Sequence, residues 1–95
     1  MDNKLEQNNI PRIECLILRI LKNNYADTYS RSMSPSEILE SMVDDMSVDT
    51  IKKHLRVLRE KGFVEEGAKI SRSKGYILTN KGSELLPAPI KVEEN

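Results

Sequence analysis

Residues 34–64 read SPSEILESMVDDMSVDTIKKHLRVLREKGFV, and this stretch decides the fold. It opens on Ser34-Pro35-Ser36-Glu37, a serine able to cap a helix, a proline at the first helical position and a glutamate three residues after the cap. That is a capping box, and proline costs nothing where the first-turn N–H has no helical partner. Met33 and Ile38 flank the box at the spacing of a hydrophobic staple. Ile38, Leu39 and Met42 supply a buried face, and Val43-Asp44-Asp45-Met46 reads as a tight turn. Ser47 then caps a further helix, with Asp49 in the first turn where the helix dipole favours an anion. Val48, Ile51, Leu55 and Leu58 form its inward stripe, and Gly62 ends it as a left-handed residue just past the last turn. Two short helices joined by about four residues form a helix-turn-helix pattern.

Working outward toward the N-terminus, Pro11 starts an earlier helix, with Ile13, Leu16, Ile17, Ile20 and Leu21 as one apolar stripe. At about 100° per residue, Cys15 and Leu18 fall on the opposite, outer face. Tyr25 to Arg31 is a polar connection of unassigned conformation. Toward the C-terminus the period changes to that of a strand. Phe63-Val64 begins a strand, Tyr76-Ile77-Leu78 is its antiparallel partner, and Glu65 to Gly75 forms a hairpin with a mobile tip. Thr79 caps a last short helix through Leu85-Leu86, before Pro87 and Pro89. The expected organisation is a flexible arm at 1–9, one α+β domain at 10–86 and a flexible tail at 87–95. A chain of this length has residues for one core only.

Composition limits the function classes. No apolar run approaches the length of a membrane span, the polar start of the chain is not a signal peptide, and one cysteine makes no internal disulfide. The expected location is therefore the cytoplasm. The formal net charge is zero, but its distribution is uneven. Residues 1–46 carry 5 basic and 8 acidic side chains, residues 47–75 carry 8 basic and 4 acidic, and residues 76–95 carry 2 and 3. Positive charge is gathered where a helix and a hairpin would meet a polyanion.

The three stretches Ser34–Ile38, Thr50–Val64 and Tyr76–Leu86 together resemble the winged helix-turn-helix transcriptional regulators, with MarR-, PadR- and ArsR-like branches. The resemblance spans about Pro11 to Leu86. It implies a three-helix core, a two-stranded wing and a short last helix, with double-stranded DNA as partner and a homodimer as the working form. It also implies base or phosphate contacts for Thr50, Lys52, Lys53 and Arg56, on a recognition helix at about 48–61 that lies in the major groove. The chain departs from larger members in having no long C-terminal dimerisation helix, which leaves the first helix, through Cys15, Leu18, Tyr25 and Tyr29, as the expected dimer contact.

The residues themselves support the same reading. Asp49, Lys53, Arg56 and Glu60 fall opposite the apolar stripe of their helix, with Lys52 and Thr50 on its shoulders. In the hairpin, Lys69, Arg72 and Lys74 with Ser71 and Ser73 make a basic tip able to reach phosphates or an adjacent minor groove. His54 has no companion at ligand spacing and reads as a surface or phosphate-contacting histidine; Asp44-Asp45 is too sparse for a calcium site, and nothing activates Cys15. No cofactor, metal or catalytic residue is expected, and the protein is not read as an enzyme. The alternative is a winged-helix module that docks proteins without binding DNA. The discriminator is whether Lys52, Lys53, Arg56 and the wing cations converge on one surface. Single-stranded or RNA binding wants exposed aromatics, and the basic segment before Tyr76 offers only Phe63, at its strand start.

Overall fold

The computed structural model describes residues 10–70 and 73–86. Helix α1 spans Arg12–Asn23, α2 Pro35–Glu40 and α3 Val48–Glu60; strands β1 (Val64–Ile70) and β2 (Ser73–Leu78) follow, then α4 (Asn80–Leu85). This is a three-helix core with a two-stranded antiparallel wing and a short closing helix, the winged helix-turn-helix arrangement. The expected arm at 1–9, the tail at 87–95 and the hairpin tip at Ser71-Arg72 lie outside the described residues.

The capping chemistry read from the sequence is in place. Ser34 Oγ accepts from Glu37 N–H, and Glu37 Oε1 accepts from Ser34 N–H at 2.9 Å, closing the capping box of α2. Ser47 Oγ accepts from Thr50 N–H, and Thr79 Oγ1 from Gly82 N–H. Pro11 stands one residue earlier than expected, as the cap of α1 and not its first helical residue. Two helices end in the same reversal. After α3, Gly62 takes φ +84°, its N–H donates to the Arg59 carbonyl and that of Phe63 to the Leu58 carbonyl. After α1, Tyr25 takes φ +57°, its N–H donates to Lys22 and that of Ala26 to Leu21. Both are Schellman endings, one built on the residue that suits it and one on a tyrosine.

Helix α2 is shorter than the apolar pattern suggested. The Ser41 and Met42 N–H groups close tight bonds to Ile38 and Leu39, and the Ser41 hydroxyl donates to the Glu37 carbonyl, so the ladder stops before Met42. The connection then runs over residues 41–47, longer than the expected turn, with Arg12 donating to Asp44 across it at 2.9 Å.

The core is Ile17, Leu18 and Leu21 of α1, Ala26, Ile38 of α2, Ile51, Leu55 and Leu58 of α3, Val64, Leu78 and Leu86. This corrects the reading of α1. Leu18 is 0% exposed and belongs to the core, while Leu16 and Ile20, expected inside, are half-buried. The inward face runs Glu14, Ile17, Leu18, Leu21, which is itself an i, i+3, i+4, i+7 series. Leu18 cannot therefore be a dimer contact, and a charge placed there would break the core.

The hairpin is a paired ladder up to Ile70 and Ser73. Its strands pair Val64 with Leu78, Glu65 with Ile77 and Glu66 with Tyr76, then Lys69 with Lys74 and Ile70 with Ser73. The register shift between Glu66 and Lys69 places Gly67-Ala68 in a bulge. The connection before α2, left unassigned by the sequence, braces the wing. It contains a 3-10 turn at Tyr29–Arg31, Met33 exchanges two backbone hydrogen bonds with Tyr76, and Leu78 N–H donates to the Ala26 carbonyl. Ser32 Oγ accepts from Ala68 N–H at 2.8 Å and donates to the Tyr29 carbonyl at 2.7 Å, fixing the bulge to that turn.

Candidate nucleic-acid interface

Every turn of α3 that sends Ile51, Leu55 and Leu58 inward sends a cation outward. Lys52, Arg56 and Arg59 lie at i, i+4 and i+7 and are all exposed. The wing folds back beside this face because Gly62 reverses the chain and β1 begins two residues later. Between helix and wing lies a groove of about 330 Å³ lined by Lys52, Arg56, Arg59 and Lys74, with Glu66 and Tyr76 on the wing side and Pro35 at the start of α2.

Of the residues picked from the sequence, the structure brings Lys52, Arg56 and Lys74 into this one groove. Lys53 is exposed but does not line it. Thr50 is half-buried at the head of α3, its hydroxyl 3.0 Å from Ser47 Oγ. Lys69 stands opposite Lys74 in the strand register, and Arg72 lies outside the described residues.

Two participants were missed. Arg59 shares a helix face with Lys52 and Arg56, and the seven-residue spacing from Lys52 was the available signal. Glu66 is the second. Its Oε2 accepts from Arg59 Nη1 at 2.6 Å and from Lys74 Nζ at 3.1 Å, tying α3 to both strands of the wing. The Lys74 hydrogen bond, which outweighs a desolvation effect of opposite sign and is reinforced by the charges of Lys74 and Arg59, lowers the Glu66 carboxyl below its ordinary value of 4.5.

His54 is not the surface histidine the sequence suggested. Its Nδ1 lies 2.9 Å from Glu14 Oε2, linking α3 to α1 beneath the groove-bearing helix. The Glu14 side chain is 4% exposed and its Oε1 has no hydrogen-bond partner among the described residues, while the His54 side chain is 24% exposed. Among the described residues no three His, Cys, Asp or Glu side chains gather as a metal site, and no helix is long and apolar enough to cross a membrane.

No protein-family model matches the chain, and no curated protein does. Solved structures do. TubR from Bacillus megaterium pBM400 superposes with a TM-score of 0.71 at 19% identity, over 88% of this chain and 92% of TubR. MepR of Staphylococcus aureus, in a complex with DNA, superposes with a TM-score of 0.70 at 25% identity, over 92% of this chain and 60% of MepR. A further MepR structure, described as a transcription regulator of the multidrug efflux pump MepA, gives a TM-score of 0.69 at 25% identity, over 88% of this chain and 58% of MepR. The chain is thus similar over most of its length to such regulators, and spans about three-fifths of MepR.

Proposed function

We propose that this chain is a double-stranded DNA-binding transcriptional regulator, not an enzyme, with α3 seated in the major groove and the wing on the adjacent backbone or minor groove. The observation that carries the reading is the convergence of Lys52, Arg56, Arg59 and Lys74 on one groove between helix and wing. A docking module for proteins has no need to gather four cations, whereas a helix in a major groove needs long donors for base edges and cations for flanking phosphates. The similarity to MepR, itself observed with DNA, supports the same reading. Lys52 and Arg56 reach bases or phosphates from the middle of α3, Thr50 and Lys53 from its flanks, and Lys69, Arg72 and Lys74 supply the wing's backbone contacts. The place of action is the cytoplasm.

A single winged helix covers a short site, so two copies on a two-fold operator remain the working form of the reading. With Leu18 in the core, the half-buried Cys15 and the exposed Tyr25 and Tyr29 are the surviving part of the expected contact. Sedimentation at tens of micromolar tests it, and a monomer there removes the dimer.

The deciding experiment is a mobility-shift titration on mixed genomic fragments at two salt concentrations, with wild type and Arg56→Ala. A neutral chain drawing its affinity from one local patch binds with a steep salt dependence. Arg56→Ala lowers specific affinity by about 1–3 kcal/mol where the guanidinium reaches a base edge. Undiminished binding by the mutant would take α3 out of the groove.

A further inference from the structure

We propose that Glu66 is a built-in competitor for the nucleic-acid backbone, its carboxylate holding, in the free protein, the place between Arg59 and Lys74 that a duplex phosphate takes in the complex. The inference rests on the duplex-binding reading and adds to it a residue that sets affinity.

Three elements meet on one oxygen. Arg59 comes from the last turn of α3, Lys74 from β2 and Glu66 from β1, and both cations donate to the same Oε2. A phosphate oxygen offers such cations an equivalent partner, a localised negative charge that accepts charge-assisted hydrogen bonds. Lys52 and Arg56 line the same space and, among the described residues, neither is paired with a carboxylate. Among the described residues, Glu66 is the one anion that lines the groove.

The pairs are well placed to exchange. Arg59, Lys74 and Glu66 side chains are 46%, 62% and 32% exposed, so water reaches each pair and neither is worth much on its own. The cations also keep the Glu66 carboxyl ionised well below neutral pH, so the competitor is present throughout the working range. Binding then trades two internal pairs for phosphate contacts. Phosphates carry no sequence information, so the trade weakens all duplexes alike and leaves the ratio of specific to random binding untouched. Glu65 provides the internal comparison. It sits one residue away, on the opposite face of the strand, exposed and outside the groove.

The test compares full-length wild type, Glu66→Gln and Glu65→Gln by fluorescence anisotropy. Each is titrated with a random-sequence duplex and with the best genomic fragment, from about 50 to 200 mM salt. Glu66→Gln is expected to tighten both duplexes by the same factor, roughly threefold to tenfold at the lower salt, and to steepen the log–log salt slope by about one to two. Glu65→Gln should stay within about twofold of wild type, since among the described residues Glu65 is paired with no cation. Equal gains in both variants would reduce the effect to net charge and overturn the proposal. So would a weaker Glu66→Gln, which would make the carboxylate a support for the two cations, or an unchanged affinity and slope. A second readout needs no variant: in saturated wild-type complex, the Glu66 carboxyl carbon and Arg59 Nε resonances should move together as the pair opens. Resonances that stay fixed while the duplex binds overturn the proposal even if Glu66→Gln fails to fold. If wild type and Glu66→Gln both ignore every duplex at low salt, the duplex-binding reading itself falls and takes this one with it; binding that Glu66→Gln does not alter removes the competitor alone.

Discussion

Truncating His54 to alanine tests whether the inter-helix pair is a structural tie beneath the recognition helix. Among the described residues the Glu14 carboxyl has one side-chain partner, His54 Nδ1 at 2.9 Å, and its other oxygen has none. His54→Ala leaves a side chain that is 4% exposed with neither oxygen satisfied. Removing one member of a fully buried pair costs about 3–5 kcal/mol. Because His54 is 24% exposed, water will enter part of the vacated space, and a loss of about 2–3 kcal/mol is expected. On a small domain that lowers Tm by roughly 10–20 °C, a large part of a total stability of about 5–15 kcal/mol. The reverse change should be much milder. Glu14→Leu puts an apolar side chain among Ile17, Leu18 and Leu21 and leaves a histidine that water can reach, so it should cost less than about 1 kcal/mol. Adding Glu14→Leu to His54→Ala should then restore most of the loss. Urea denaturation followed by circular dichroism, with an unchanged m-value, measures all three variants. A His54→Ala loss under about 0.5 kcal/mol, or a double variant no more stable than His54→Ala, would refute the dependence of the buried carboxyl on its histidine.

Replacing Arg72 and Lys74 together with alanine should weaken specific and random duplexes by similar factors and flatten the salt slope by about one per lost phosphate contact; loss confined to one sequence would show that the wing reads bases or groove shape. Tyr25→Gly should stabilise by about 0.5–1 kcal/mol, the relief of a left-handed tyrosine less the added freedom of the unfolded chain, read from the urea midpoint. The Glu66 carboxyl, lowered by Lys74 and Arg59, binds protons more weakly folded than unfolded. Its contribution is therefore complete above the unfolded value near 4.5 and is lost as pH falls through the lower folded value; carboxyl NMR on wild type against Glu66→Gln locates the step, and a midpoint above 4.5 would contradict the geometry.

How much of this was legible depended on whether a local rule had one solution. The capping box at Ser34 and Glu37, the cap at Ser47 and the stop at Gly62 each satisfy backbone groups with residues a few positions away, so α2 and α3 could be placed at their starts without knowledge of the rest. The phase of α1 could not. Ile13, Cys15, Leu16, Ile17, Leu18, Ile20 and Leu21 spread apolar side chains over more than half of its circumference, and two overlapping stripes can be drawn through them. The true one carries Glu14, which any rule that sends charge to water assigns outward. Its burial depends on a histidine 40 positions later, a tertiary fact. Glu66 was hidden for the same reason: it reads as a solvated strand residue until β1 lies beside α3.

The groove and the core are two outputs of one helix. Ile51, Leu55 and Leu58 hold α3 against the domain, and the residues that follow Ile51, Leu55 and Leu58 in sequence, Lys52, Arg56 and Arg59, are thereby aimed at one another and at the wing. What sets the width of that space is the backbone after α3. The Gly62 reversal fixes the angle at which β1 leaves, the Met33–Tyr76 bridge fixes the far edge of the sheet, and the Ser32–Ala68 hydrogen bond fixes the bulge just beyond Glu66. The wing base therefore approaches the helix on constraints that involve no cation at all. Arg59, Glu66 and Lys74 can exchange partners within a frame that does not depend on their pairing, which is the condition a polyanion needs to enter the groove without unfolding it.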